Sequence, residues 1–142
     1  MGENRLLPMS AWLLAACGIW LAGLGIYFVA VRPPLLPEDL RVMGTTSLQI
    51  RDAIPGLAGW LKLVFTVMGG FMTGAGVLTA FLAVRVLPLR IEGTAWAIGL
   101  SGLLTVVTMS LANFALGSDF RWLLLMPALL WLFAFILYLA KP

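Results

Sequence analysis

The sequence predicts an all-α membrane protein: a four-helix transmembrane bundle with a short amphipathic helical segment between the first and second spans. Three observations lead there. Four stretches, 6–31, 63–84, 93–118 and 122–140, contain no Asp, Glu, Lys or Arg, and each is about as long as the ~20 residues a helix needs to cross the hydrocarbon of a bilayer. Charged residues make up 11% of the chain, against about 25% in soluble domains, and the mean hydropathy is +1.05. The apolar runs are continuous rather than alternating, so the backbone satisfies its own polar groups as helix and not as a membrane barrel. The chain therefore reads as a single integral membrane domain over 1–142, with spans at about 9–31, 60–84, 93–116 and 121–140 and an interfacial loop at 33–59.

The first span is stopped by Arg32-Pro33-Pro34, because two prolines remove amide donors and fix φ. Leu14-Ala15-Ala16-Cys17 matches a lipoprotein cleavage box. The apolar run continues through Gly18 to Val31, however, so an uncleaved helix is expected. Met1-Gly2 opens like a myristoylation signal, but Leu6 stands where that motif needs Ser or Thr.

Within 33–59, Pro37-Glu38-Asp39-Leu40-Arg41 places proline at a first helical position and acids in the first turn, which suits a short helix ending at Gly44. Thr46-Ser47-Leu48-Gln49 reads as a capping box. Ile50, Ile54, Leu57 and Leu61 follow at helical spacing, interrupted by Pro55. Two short amphipathic helices at the headgroup plane are expected. The second span begins near Gly56 or Trp60 and ends at Arg85, the third is closed by Gly117, and the fourth carries Pro127 inside it. Trp12, Trp60, Trp96 and Trp122 lie near the starts of the four spans, with Tyr27 and Tyr138 near two ends. Amphipathic rings favour the headgroup level, so these are anchors. Trp20 and Trp131 fall mid-span and are expected to face lipid or a neighbouring helix.

Inside lipid, helices associate through close packing of small residues. Ala11, Ala15, Gly18, Ala22 and Gly25 form such a stripe on the first span. Gly70 and Gly74, with Thr66, form one on the second, where Gly69, Gly76 and Ala80 lie close by. Gly99 and Gly102, following Ala95, form one on the third. The fourth span, rich in Leu, Trp and Phe nearly all round, is expected at the periphery.

Composition excludes several function classes. With no His and a single cysteine, Cys17, the chain has no His-ligated haem, copper or zinc, no internal disulfide and no CxxC centre. No cofactor or metal is expected. The formal charge of +3 comes from bases placed at helix ends, where they meet lipid headgroups, so the partner is membrane lipid and not nucleic acid. No span holds an Asp or Glu, which removes carboxylate-dependent proton exchange. Asn113 is the most expensive polar side chain to bury within the spans and the best single candidate for a polar contact. Glu38, Asp39, Asp52 and Asp119 are candidates to converge at one face. Arg41, Arg51 and Arg121 stand beside them in sequence as ion-pair partners for Asp39 or Glu38, Asp52 and Asp119. The candidate polar site is thus Asn113, Asp119, Arg121, Arg51 and Asp52.

The run Met68-Gly69-Gly70-Phe71-Met72-Thr73-Gly74-Ala75-Gly76, preceded by the loop with Pro37-Glu38-Asp39-Leu40, resembles small bacterial four-helix membrane proteins of the DoxX-like, uncharacterised type. The resemblance is one of layout: a long first loop, a Gly-Gly helix, a short basic turn and two further spans. It implies a bacterial inner membrane and no particular activity. Relatives of this layout place a basic residue just before the Gly-Gly pair, where Phe65-Thr66-Val67 has none.

Nine basic residues divide four against five between the faces: Arg5, Arg85, Arg90 and Lys141 on one, Arg32, Arg41, Arg51, Lys62 and Arg121 on the other. Arg85 and Arg90 occupy the shortest basic loop, which favours cytoplasmic termini. Three functions are compatible with these features. The first is a non-catalytic protein working through helix contacts, as an accessory or assembly subunit of a larger membrane complex or as an oligomer of itself. The second is a small transporter or channel, suggested by the near balance of charge as a dual-topology dimer. The third is a binder or modifier of an apolar ligand such as a lipid or quinone, held near Asn113 and the interfacial loop.

Overall fold

The computed structural model describes residues 7–140; Arg5 and Lys141, like Met1, Gly2 and Leu6, lie outside the described residues. Helices α1 (Met9–Ala30), α2 (Pro37–Met43), α3 (Ser47–Ala53), α4 (Leu57–Arg85), α5 (Thr94–Gly102), α6 (Thr108–Ala115) and α7 (Arg121–Ala140) follow in order. A π-helical turn, Leu103–Val107, joins α5 to α6, so that they act as one third span. Four helical stretches, Met9–Ala30, Leu57–Leu89, Thr94–Ala115 and Arg121–Ala140, are long and apolar enough to cross a membrane. The interfacial segment folds as its sequence predicts. Gly44 ends α2 in a left-handed conformation at φ 64°. Gln49 Oε1 accepts from the Thr46 amide at 3.0 Å, and the Gln49 amide donates back to Thr46 Oγ1 at 3.3 Å, closing the N-terminus of α3.

Packing runs in a chain: α4 lies along α1, α1 along α7, and α7 along the third span. The α1–α4 seam is built on backbone contact. A Cβ placed at Gly18 would lie 2.6 Å from the Gly76 carbonyl oxygen and the Ala80 nitrogen, and one at Gly25 would lie 2.6 Å from the Gly69 carbonyl oxygen. Gly18 and Gly25, like Gly69 and Gly76, lie seven positions apart, so two antiparallel helices meet glycine against glycine twice, two turns apart. The α4 contact face is therefore Gly69, Thr73, Gly76 and Ala80. Gly70 and Gly74, which the sequence places in the stripe, have open space around them.

Expected at the periphery, α7 instead lies between α1 and the third span, burying Pro127, Ala128, Trp131, Ala134 and Tyr138. Small residues at 127, 128 and 134, interleaved with Trp131 and Tyr138, make a face that fits against both neighbours. The missing amide of Pro127 weakens the helix ladder around it, and neighbouring side chains bind carbonyls there. Cys17 Sγ donates to the Pro127 carbonyl at 3.3 Å and Ser110 Oγ to that of Leu124 at 2.8 Å. Trp131 stacks on Phe135 with centroids 5.6 Å apart, and its Nε1 donates to the Ile98 carbonyl at 3.0 Å. At the end opposite the interfacial segment, Arg90 Nη2 donates to the Tyr138 carbonyl at 2.9 Å, with its guanidinium over the Tyr138 ring.

Candidate functional site

Because packing proceeds α4, α1, α7, third span, the two ends of that series, α4 and the third span, have no packed seam between them. Between them lies a cleft of about 790 Å³. Its floor comes from α1 (Leu21, Leu24, Phe28) and α7 (Leu123, Leu124), and its walls from α4 (Phe65, Met68, Met72, Ala75) and the third span (Thr105, Met109, Ala112, Asn113). The three methionines give the walls a flexible, polarizable surface that adapts to irregular apolar shapes. The π turn lies in the wall itself. Inserting a residue there rotates the following helix relative to α5, and such turns concentrate at functional positions. Thr105 within it returns its hydroxyl to the Ser101 carbonyl at 2.6 Å, and Thr108 just after it binds Leu103 at 2.9 Å. The wall thus presents methyl groups rather than free hydroxyls.

Polar groups gather at the loop-side end, where Arg32, Glu38 and Asp39 line the cleft. The Arg32 side chain is only 8% exposed. Its guanidinium carbon lies 3.6 Å from the Phe65 ring centroid and 5.3 Å from that of Phe28, while Nη2 reaches Asp39 Oδ2 at 3.3 Å and Nη1 the Pro33 carbonyl at 3.0 Å. Asp39 Oδ2 also accepts the Leu36 amide at 2.8 Å, which closes the N-terminus of α2. The guanidinium is thus held against the two aromatic rings and a carboxylate in a poorly hydrated place. A second hollow of about 240 Å³, beneath α2, shares Glu38, Asp39, Phe65 and Leu116 with the main cleft. The two acids therefore stand between the two spaces.

The structure disperses the sequence-predicted polar site. Asn113 does line the cleft; its Nδ2 donates to the Met109 carbonyl at 2.8 Å. That acceptor fixes the amide's orientation, leaving Oδ1 with no donor among the described residues. Asp119 pairs with Arg41 at 3.0 Å rather than with Arg121. Arg121 joins the local turn through its backbone, its amide donating to Ser118. Arg51 and Asp52 are exposed on α3 and bond to no described residue through their side chains. Asp39 pairs with Arg32, not with Arg41. Glu38 takes no arginine. It accepts the Ser118 hydroxyl at 3.0 Å and the Asp119 amide at 2.9 Å. Sequence reading treated Arg32 as a helix stop, although Phe28, four residues earlier, already places a ring beneath it. Ser118, 2% exposed, gave no sequence signal, since its role depends on a carboxylate eighty residues away.

Among the described residues, no three of Cys, Asp and Glu converge as a metal site. No family model, curated protein or solved structure matches the chain.

Proposed function

We propose that this protein binds a membrane-dissolved apolar or amphipathic molecule, of the class of a lipid or quinone, in the cleft between α4 and the third span. The observation that carries the reading is the cleft itself. Its volume of about 790 Å³ falls among those of small-molecule sites, which are mostly apolar with a few polar groups placed to orient the ligand. Apolar walls suit a hydrocarbon body, and Arg32, Asp39 and Asn113 supply donors and acceptors for a polar end. The four spans contain no Asp, Glu or His, which favours a reading of binding over acid–base catalysis. Native mass spectrometry of protein released from a mild detergent tests it. Retained lipid-sized adducts are expected on the unaltered chain, and their loss from Ala75→Phe and Ala112→Phe, which fill the cleft. Protein that never carries or takes up such a molecule, or filled variants that retain as much, would overturn it.

A second reading, action through helix contacts with another copy or a larger membrane complex, is favoured by the open small-residue face of Gly70 and Gly74 on α4. The same spectra read it as a stable oligomer or a co-purifying subunit. We further propose a bacterial inner membrane, which the resemblance in layout suggests, and cytoplasmic termini, which Arg85 and Arg90 of the short connection favour. A reporter fused at the C-terminus tests the orientation.

A further inference from the structure

The contacts of α2 cross from one half of the bundle to the other. Chain connectivity attaches α2 to α1 on one side and, through α3, to α4 on the other. Residues 116–120 connect the third span to α7. Where the two meet, the Glu38 carboxylate accepts from Ser118 Oγ at 3.0 Å and from the Asp119 amide at 2.9 Å. Arg41 holds both Asp119 oxygens, at 3.0 and 3.4 Å. On its own half of the bundle α2 is held by Asp39, which pairs with Arg32 at 3.3 Å; across to the other half it has, among the described residues, only these clasps, and none of its residues is buried. It joins the chain through extended Leu36 and left-handed Gly44.

We infer that α2 is a strap that holds the loop-side end of the cleft closed by clasping the 116–120 connection, and that releasing it widens the cleft. The inference rests on the ligand-binding reading only for what passes through the opening. The two clasps differ in strength. Glu38 makes charge-assisted bonds to a buried hydroxyl and a backbone amide. Arg41 and Asp119 are 57% and 61% exposed, so that pair is screened by salt and contributes little alone. Glu38 and Asp39 line both the main cleft and the smaller hollow beneath α2. Parting α2 from the 116–120 connection therefore joins the two spaces.

Spin labels on Met72→Cys in α4 and Met109→Cys in the third span, in a Cys17→Ser background, report the width of the cleft by pulsed electron resonance in nanodiscs of phosphatidylethanolamine and phosphatidylglycerol. Glu38→Ala is expected to lengthen and broaden the distance distribution, and Glu38→Gln to do so less. Arg41→Asp is expected to widen the cleft slightly, and the exchanged pair Arg41→Asp with Asp119→Arg to restore it. A Glu38→Ala distribution that matches the parent overturns the strap, as does an exchanged pair no narrower than Arg41→Asp. In unlabelled variants, pyrene-tailed phosphatidylcholine should leave Glu38→Ala several-fold faster. Unchanged release from a widened cleft would overturn its gating role. A parent that never loads the probe would sink the ligand-binding reading, while the distances still decide the strap.

Discussion

The guanidinium of Arg32 sits 3.6 Å above the ring of Phe65, joining the last turn of the first span to the second at the mouth of the cleft. Phe28 and Asp39 complete its surroundings. A cation so enclosed interacts with ring quadrupoles and a carboxylate at once, and neither contact tolerates a change of shape. Arg32→Ala is expected to cost about 2 kcal/mol, the scale of a desolvated cation–π contact. Arg32→Lys should recover only part of that, because an ammonium lacks the planar fork that covers the Phe65 ring while reaching Asp39. Phe65→Leu keeps the apolar volume, removes the π face and should fall between them. Thermal unfolding in mild detergent, followed by circular dichroism, orders the three. Equal stability of Arg32→Lys and the parent would show that charge alone matters there.

The α1–α4 seam makes a sharper prediction because glycines on the same helix behave oppositely. A side chain at Gly18 or Gly76 meets backbone of the facing helix, which cannot rotate away. Gly18→Val or Gly76→Val should therefore part the helices and destabilise by about 3 kcal/mol or more, at the upper end for overpacking. Gly70→Ala and Gly74→Ala meet nothing within 4 Å, so relief of glycine's backbone entropy should leave the fold equally or slightly more stable, by about 0.5 kcal/mol each. The same unfolding measurements separate the pairs. Loss of an oligomer in Gly70→Ala or Gly74→Ala, with the monomer fold intact, would assign that face to another chain.

These glycines also mark the limit of what the sequence discloses. Charge-free runs give the number of spans because the cost of a charge in hydrocarbon acts on each helix separately. Pro37, Gly44 and the Thr46–Gln49 box place the interfacial helices because caps act within a few residues. The face of α4 that meets α1 depends on the partner. Gly70–Gly74 and Gly69–Gly76 are both regular small-residue spacings, and only the matching seven-residue interval of Gly18 and Gly25 distinguishes the second. On α7, the bulk of leucine hid a face formed by Pro127, Ala128 and Ala134. The cleft was illegible for a related reason: it arises where two helices do not pack, and no local pattern records a missing contact. Asn113 was legible as costly to bury, and it lines that cleft. Glu38 finds Ser118, and Arg41 finds Asp119, from segments far apart in the chain, so neighbour-in-sequence pairing assigned the wrong partners.

Asn113 separates binding from stability. Its Nδ2 makes a bond within its own helix while Oδ1 has no donor. Asn113→Leu removes one intrahelical hydrogen bond and should change stability by no more than about 1 kcal/mol. It also removes the acceptor along that wall of the cleft. The retained molecules seen by native mass spectrometry should then shift away from species that donate hydrogen bonds, with melting nearly unchanged. Asn113→Ala is the control, since it removes the amide without adding bulk. An unchanged lipid profile in both would exclude Oδ1 from ligand contact.

Gly102 and Trp131 are coupled strongly enough for a double-mutant cycle. A Cβ at Gly102 would overlap the Trp131 indole at Cε2 and Nε1, the nitrogen that donates to Ile98 at 3.0 Å. Gly102→Ala must therefore push the ring aside, losing that bond and disturbing the stack on Phe135, at a cost of about 2 kcal/mol. Trp131→Phe loses the donor and part of the packing, about 1–2 kcal/mol. With the smaller ring in place, the added methyl has room, so the double variant should be less destabilised than the two losses added together. A coupling of about 1 kcal/mol is in the range seen for residues in contact. Because Gly102 immediately precedes the π turn, the cycle also reports on how the third span holds its register: additive losses would mean that the indole does not fix α7 against it.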